Sequence, residues 1–427
     1  MPPAPQFQSE FLRTFVARGA YYDCSGPQEL DALFSKERVT AYIGFDCTAK
    51  SMHIGNLVQL MTLRRLQQAG HKPILLMGGG TTKAGDPSGK DETRLILTPE
   101  QIEANKQSML GGVRHLLKFG DGPSDAIMVD NAEWLDKLEY VSFLRDVGRH
   151  FSINRMLTMD SVKLRLEREQ PLSFLEFNYS IMQAYDFVEL NKRYGCRLQS
   201  SGSDQWGNVV SGLELGRRMQ TEQLFGLTTP LITTSSGAKM GKTAAGAMWL
   251  NADRVSPYDY WQFWRNTEDK DVGRFLRLFT DMPEAEIARL EALQGAELND
   301  AKKILATEAT ALLHGRDAAE KTADTAKGAF EEGSSTGLPI IEWNWSTGDV
   351  SSGKSFDLRT AAALLKASGL ASSLSDARRK IDEKAVRINN VLVEQHTKLF
   401  DTGDIDANTG TIKVQYGKKK IVLIRPV

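Results

Sequence analysis

The sequence predicts an α/β protein built on a doubly wound parallel sheet, followed by an all-helical region and a small α+β unit. Three observations carry this. Residues 38–250 interleave short apolar runs with helical patterns, as parallel strands joined by crossover helices do. From about Ser256 the strand-like runs stop and helical spacing alone persists. The Gly- and Ser-rich stretch Gly333–Ser355 then sets off a compact basic segment, Phe356–Val427.

Val39–Phe45 (VTAYIGF) predicts the first strand of the sheet. Ile54–Ala69 follows with apolar residues at helical spacing. Pro73–Met77 (PILLM) predicts a second, buried strand. Pro99–Lys118 predicts a helix, with Pro99 in the first turn, where its missing N–H costs nothing. Ala126–Val129 (AIMV) predicts a third strand. Ser256-Pro257 supplies a helix cap and a first-turn proline. Phe275, Leu278, Ile287, Leu290, Ile304 and Leu312 then recur at helical spacing. In the last segment Ser373-Leu-Ser-Asp376 opens a helix, Val386–Ile388 predicts a strand, and Asn389-Asn390 a turn. The chain therefore divides into residues 1–255, 256–332, a linker over 333–355, and 356–427.

Composition narrows the function classes. The 427 residues suggest about three domains. With 41% hydrophobic and 25% charged residues, the chain reads as globular and not as disordered or fibrous. No apolar run approaches the roughly 18 to 20 residues of a membrane span. The first 23 residues lack the apolar stretch of a secretory signal, so none is expected. Cys24, Cys47 and Cys196 are odd in number and show no CxxC spacing. That predicts a reducing, cytoplasmic compartment without disulfides or a zinc ribbon. The net charge of −1 is uninformative as an average. Residues 357–427, however, hold 13 basic and 8 acidic residues, a net of +5 on an acidic body. A basic segment of this kind points modestly to nucleic acid.

One motif misleads. Gly348-Asp-Val-Ser-Ser-Gly-Lys-Ser355 matches the phosphate-loop pattern GxxxxGK[ST]. That loop needs a buried strand before it and a parallel sheet around it. Here it sits in a Ser-rich stretch with about 70 residues to follow, and it reads as linker.

Five segments carry chemistry. Tyr42 to Asn56 runs from the first strand into the first long helix, where helix N–H groups attract phosphate. Gly44 and Gly55 would let backbone approach a nucleotide, and Thr48 and His53 offer donors; a capped helix start with a structural His is the plainer reading. Gly78 to Lys90, with Asp86 and then Arg94, follows the second strand onto the same edge. One carboxylate and two cations suit an ammonium and a polyphosphate, against a plain surface loop. Tyr179, Gln183 and Asp186 share a helix face, which is a ligand-facing or a solvated stripe. Leu198 to Asn208 is a small-residue turn before a helix, where Asp204 suits a ribose hydroxyl or a cap. Lys239-Met-Gly-Lys242-Thr243 lies in a Gly/Ser-rich loop and suits a polyphosphate leaving group, although solvated lysines are common.

Together, in this order and over essentially the whole chain, these segments resemble the tyrosyl-tRNA synthetases of bacterial and organellar type, a class I aminoacyl-tRNA synthetase family. His53–Asn56 looks like the HIGH signature and Lys239–Thr243 like the KMSKS loop. The GDPSGK, FxYxxxQAYDF and GSDQWGN segments look specific to the tyrosine enzyme.

The resemblance implies a Rossmann-like catalytic and dimerising domain over 1–255. It implies an anticodon-side helical domain over 256–332 and a small RNA-binding domain over 356–427. The implied substrates are tyrosine, ATP with Mg²⁺, and the tRNA for tyrosine, in a homodimer away from membranes, with no resident metal. Tyr42 and Asp186 would bind the substrate phenol. Asp86, Tyr179 and Gln183 would hold its ammonium, and Asp46 and Gln199 would line its site. Gly44, Gly55, Asn56, Gly202, Asp204, Gln205 and Lys242 would meet ATP or the adenylate. Thr48 and His53 would bind the γ-phosphate; Lys90, Arg94, Lys239, Lys242 and Thr243 would stabilise the departing pyrophosphate. Arg378, Arg379, Lys380, Arg387, Lys418, Lys419 and Lys420 would meet tRNA phosphates.

The chain departs from the signatures at Asn56, in place of the second His, and at Gly241 and Thr243. Ile43 stands where some relatives carry Cys. A buried site built to pair a phenol rejects phenylalanine by leaving its own groups unpaired. For this enzyme family the known ratio is about 10⁵, without editing. Two alternatives remain: a tryptophan-activating relative, and a synthetase-like RNA-binding protein without activity.

Overall fold

The computed structural model describes residues 4–87, 96–237, 240, 242–243, 246–331, 337–344, 357–407, 409–417 and 420–427. Six strands form the main sheet: β1 (Asp23–Cys24), β2 (Thr40–Asp46), β3 (Lys72–Gly78), β4 (Ile127–Asp130), β5 (Cys196–Gly202) and β6 (Phe225–Thr229). Their spatial order is β1-β6-β5-β2-β3-β4. All neighbours run parallel except β1, which pairs antiparallel with β6. The chain winds outward from β2 through β3 to β4, then returns to β5 on the other side. The strand order thus reverses between β2 and β5, where Tyr42 pairs with Gln199. In such sheets ligands bind beyond the carboxyl ends of the strands at the switch point.

The expected strands appear within a residue or two of their sequence-based bounds. The helix expected over 99–118 stops at Val113, with Thr98 as its cap and Pro99 in its first turn. The expected helix from Ile54 spans Ile54–Gln68 and is capped by His53. Helices Tyr179–Tyr194 and Trp206–Arg218 flank β5. Between β4 and Tyr179 the crossover is made of short helices. The last of them, Phe174–Phe177, is opened by a capping box of Ser173 and Glu176. Glu176 is also paired with buried Arg165, which fixes where the Tyr179 helix begins.

From Pro257 to Glu331 the described chain is helical. Ser256 accepts from the Asp259 N–H and Pro257 sits in the first turn, as the sequence predicts. One hydrophobic core runs without a break from Phe11 and Leu60 through Trp264, Phe275 and Leu305. Buried Arg65 donates to the carbonyls of Arg277 and Leu278 at 2.6 and 2.7 Å. Arg18 donates to the Met282 carbonyl at 2.6 Å. Both cations gather at the C-terminal end of helix Val272–Phe279, where the macrodipole favours positive charge. Burial still drives Arg65 down to about 9.

A separate core of Leu364, Ile381, Val386, Ile412 and Ile424 holds the C-terminal unit. Its helix Leu374–Asp382 is capped by Ser373, and strand β10 (Val386–Ile388) turns at Asn389 and Asn390 into β11 (Val391–Leu392). Both asparagines have positive φ, 49° and 67°, as a tight hairpin turn requires. Strands β12 (Ile412–Tyr416) and β13 (Lys420–Pro426) complete this part. The structure departs from the expected linker at residues 340–343. Ile340–Trp343 is a strand, here β9, parallel to β13. The alternating IIEW run is too short to register as a strand by periodicity. The phosphate-loop-like Gly348–Ser355 lies outside the described residues. No described helix is long and apolar enough to cross a membrane. The three cysteines are buried and unpaired, and burial pushes each thiol up.

Candidate active site

A cleft of about 730 Å³ opens beyond the carboxyl ends of β2, β3 and β5. It collects Tyr42, Gly44, Asp46, Thr48, His53, Gly55, Asn56, Asp86, Tyr179, Gln183, Asp186, Gln199, Gly202, Asp204 and Gln205. Segments far apart in sequence therefore share one wall, because parallel strands end on the same edge.

At its deep end sit Tyr42 and Asp186, 1% and 2% exposed. Asp186 accepts from Trp134 Nε1 at 2.8 Å and from Asn131 Nδ2 at 2.9 Å. Burial pushes its carboxyl up to about 8, the two donors pulling the other way. Among the described residues nothing pairs with the Tyr42 hydroxyl. Burial and the nearby Asp186 carboxylate raise that phenol well above its usual range. A buried, unpaired hydroxyl beside a buried carboxylate suits a ligand bringing both a donor and an acceptor, as a phenol does.

The raised carboxyl sets a pH dependence. A folded-state value near 8 means the native chain binds more protons than the unfolded one between pH about 4 and 8. Asp186 therefore lowers stability as pH rises through that window. Thermal melts of the ligand-free chain should show this slope, and Asp186→Asn should flatten it; an equal slope in both contradicts the assignment.

Nearer the mouth, Asp46 accepts from Thr81 Oγ1 at 2.8 Å and from the Tyr179 hydroxyl at 3.1 Å. Burial first, then Asp46, raise the Tyr179 phenol well above its usual range. Asn131 Nδ2 also donates to Thr81 Oγ1 at 3.0 Å, and Asn131 Oδ1 accepts from the Gly80 N–H at 2.8 Å. One amide thus joins Asp186, the glycine turn after β3 and the Asp46–Tyr179 pair. On the opposite side Asn208 Nδ2 donates to Gln183 Oε1 at 3.1 Å and to Gln205 Oε1 at 2.9 Å. Gln205 Nε2 donates to Asp86 Oδ2 at 2.8 Å. Asn131 and Trp134 lie outside the five segments that the sequence singles out, and Thr81 and Asn208 lie inside two of them with no role assigned. Asn131 directly follows β4, and position at a strand's carboxyl end is the signal that marks it.

At the helix start His53 serves as the cap, the plainer of its two readings. Its Nδ1 accepts from the Gly55 N–H at 3.0 Å, and its own N–H donates to Asn56 Oδ1 at 3.1 Å. Accepting at Nδ1 puts the proton of a neutral ring on Nε2, the form that donates to phosphate oxygen. Asn56 closes this reciprocal cap. A Cβ at Gly55 would fall 2.8 Å from the His53 ring, so the glycine keeps room for the histidine.

Lys90, Arg94 and Lys239 lie outside the described residues. Lys242–Thr243 forms a short strand, β7, paired with β8 (Gly246–Ala247); the two side chains lie outside the description. In the C-terminal unit Arg378, Arg379, Arg387 and Lys420 are exposed. Lys380 is turned inward, 2.7 Å from Asp376 and 5.0 Å over the Tyr416 ring. Lys418 and Lys419 lie outside the described residues. Among the described residues no group of three or more His, Cys, Asp or Glu is arranged to hold a metal ion.

The family model described as tRNA synthetases class I (W and Y) matches residues 35–331. A tyrosine–tRNA ligase from Nitrobacter winogradskyi is 59% identical, over 98% of this chain and 99% of its own. The same-named protein of Bradyrhizobium diazoefficiens is 58% identical over equal shares. Among solved structures, a C-terminally truncated mitochondrial tyrosyl-tRNA synthetase from Aspergillus nidulans is 30% identical with a TM-score of 0.68. It covers 76% of this chain and 95% of its own. The match over most of the chain, with the described parts of the signature segments lining one cleft, means that the chain belongs to the class I tRNA synthetases (W and Y).

Proposed function

We propose that the chain is a tyrosine–tRNA ligase. The observation that carries this is the buried Tyr42 hydroxyl, unpaired beside Asp186. A carboxylate oxygen of L-tyrosine attacks the α-phosphorus of ATP, the bond to pyrophosphate breaks, and tyrosyl-adenylate forms. A hydroxyl of the 3′-terminal adenosine of tRNA then attacks the tyrosyl carbonyl, and AMP leaves. Mg²⁺ arrives with ATP as part of the substrate. Catalysis comes from positioning and from charge stabilisation.

Tyr42 donates to the substrate phenol oxygen, and that phenol donates to Asp186. Asp86, Tyr179 and Gln183 hold the ammonium, while Asp46 and Gln199 line the site. Gly44, Gly55, Asn56, Gly202, Asp204 and Gln205 face the adenylate. Thr48 and His53 bind the γ-phosphate, and Lys90, Arg94, Lys239, Lys242 and Thr243 bind the departing pyrophosphate.

Residues 1–255 form the catalytic domain, 256–332 the anticodon-side domain and 356–427 the tRNA-binding module of a cytoplasmic homodimer. Exposed Tyr140, Val141, Ile153 and Phe174, all on the crossover between β4 and the Tyr179 helix, support the dimer, because large apolar side chains left in water favour burial against a second copy. Exposed Arg378, Arg379, Arg387 and Lys420 support the tRNA contact.

Tyrosine-dependent ATP–pyrophosphate exchange tests this function. Exchange with tyrosine is expected; exchange driven by tryptophan alone overturns the substrate. RNA binding without any adenylate formation overturns the activity.

A further inference from the structure

The segment entering the Ile54–Gln68 helix and the segment leaving the Lys239–Thr243 loop are stitched together. The Leu250 N–H donates to the Met52 carbonyl, and the Ile54 N–H to the Met248 carbonyl, both at 2.9 Å. These bonds flank an antiparallel pair of His53 and Trp249. It is the close kind of pair, without direct hydrogen bonds, whose side chains stand on one face. The two rings are 6.4 Å apart and both residues line the cleft.

Next to this pair lies a buried polar lock. The Ser51 hydroxyl accepts from the N–H groups of Leu250 and Asn251 at 3.2 and 3.1 Å. It also lies 2.8 Å from Asn251 Oδ1. Asn251 Nδ2 donates to the Ser108 carbonyl at 2.7 Å, on the Pro99–Val113 helix. A Cβ at Gly112 would overlap Asn251 Oδ1, so that helix is cut away to admit this amide. Ser51 and Asn251 are 3% and 8% exposed. Burying two polar side chains costs desolvation that an apolar pair would not. What they add is register: a one-residue slip of the return limb would turn Trp249 off the His53 face.

We propose that Ser51 and Asn251 are positioning residues that hold His53 and the return limb of the loop in fixed register, and so set the rate of adenylate formation. This rests on the function proposed above. Ser51 borders the cleft but its hydroxyl is engaged by Met52, Leu250 and Asn251, and Asn251 lies outside the cleft lining; both act through His53.

The test is tyrosine-dependent pyrophosphate exchange in the full-length chain, with Ser51→Ala, Asn251→Ala, His53→Ala and the Ser51→Ala/His53→Ala pair. Each lock variant is expected to lower kcat about tenfold, with KM for tyrosine within about twofold of wild type. Ser51→Ala should add no further loss once His53 is removed, because coupled residues are not additive. Asn251→Ala approaches the same lock from the other limb, should alanine at 51 fail to fold. Wild-type kcat in either folded lock variant, or fully additive losses in the double variant, overturns the lock and leaves the activity standing. A wild-type chain without tyrosine-dependent exchange overturns both.

Discussion

Replacing Asp186 by alanine is expected to lower kcat/KM for tyrosine about a thousandfold in pyrophosphate exchange. On the function proposed above Asp186 accepts from the substrate phenol; it is buried and already held by Asn131 and Trp134. Without it the incoming hydroxyl loses its acceptor, and the Asn131 and Trp134 donors are left facing a void. Discrimination should fall with activity. Phenylalanine brings no donor to buried Asp186 in the wild type, a loss that disappears with alanine at 186. The ratio of kcat/KM for tyrosine over phenylalanine should therefore collapse in the variant. A variant within about tenfold of wild type, with discrimination kept, would show that the phenol binds elsewhere.

Removing the C-terminal unit is expected to separate the two half-reactions. A chain ending at Glu331 should keep tyrosine-dependent exchange and lose at least about a hundredfold in kcat/KM for tRNA charging. The cleft lies wholly within the retained part. The lost unit has its own core, and residues 357–427 carry the net charge of +5. The cut belongs before β9, not after it, because Ile340–Trp343 is a strand of the C-terminal sheet. Ile421 and Leu423 of β13 pack into the large core, so some loss of melting temperature accompanies the cut. Charging by the intact chain should weaken steeply with salt, since phosphate contacts release counterions. Undiminished charging by the shortened chain would place the tRNA contacts in the body.

Much of this was legible in the chain because it is local. Pro99 and Pro257 announce first turns, Ser256 and Ser373 announce caps, and Asn389-Asn390 announces a turn. Each signal acts over a few residues of backbone. The Tyr179, Gln183 and Asp186 face follows from the helical repeat alone, and all three reach the cleft. β9 was not legible. Its four residues lie in a Gly- and Ser-rich stretch, and what makes them a strand is a partner about 80 residues later.

By itself the sequence determined the α/β class, the order of its elements and the three strand-end segments bound for one sheet edge. Helical and strand periodicity, caps and turns act over short stretches of chain. Only the tertiary structure decided which side chains complete the site. Asn131 meets Asp186 across 55 positions and Ser51 meets Asn251 across 200. No local pattern encodes those meetings. They arise because the reversal of strand order between β2 and β5 opens a crevice into which distant loops converge.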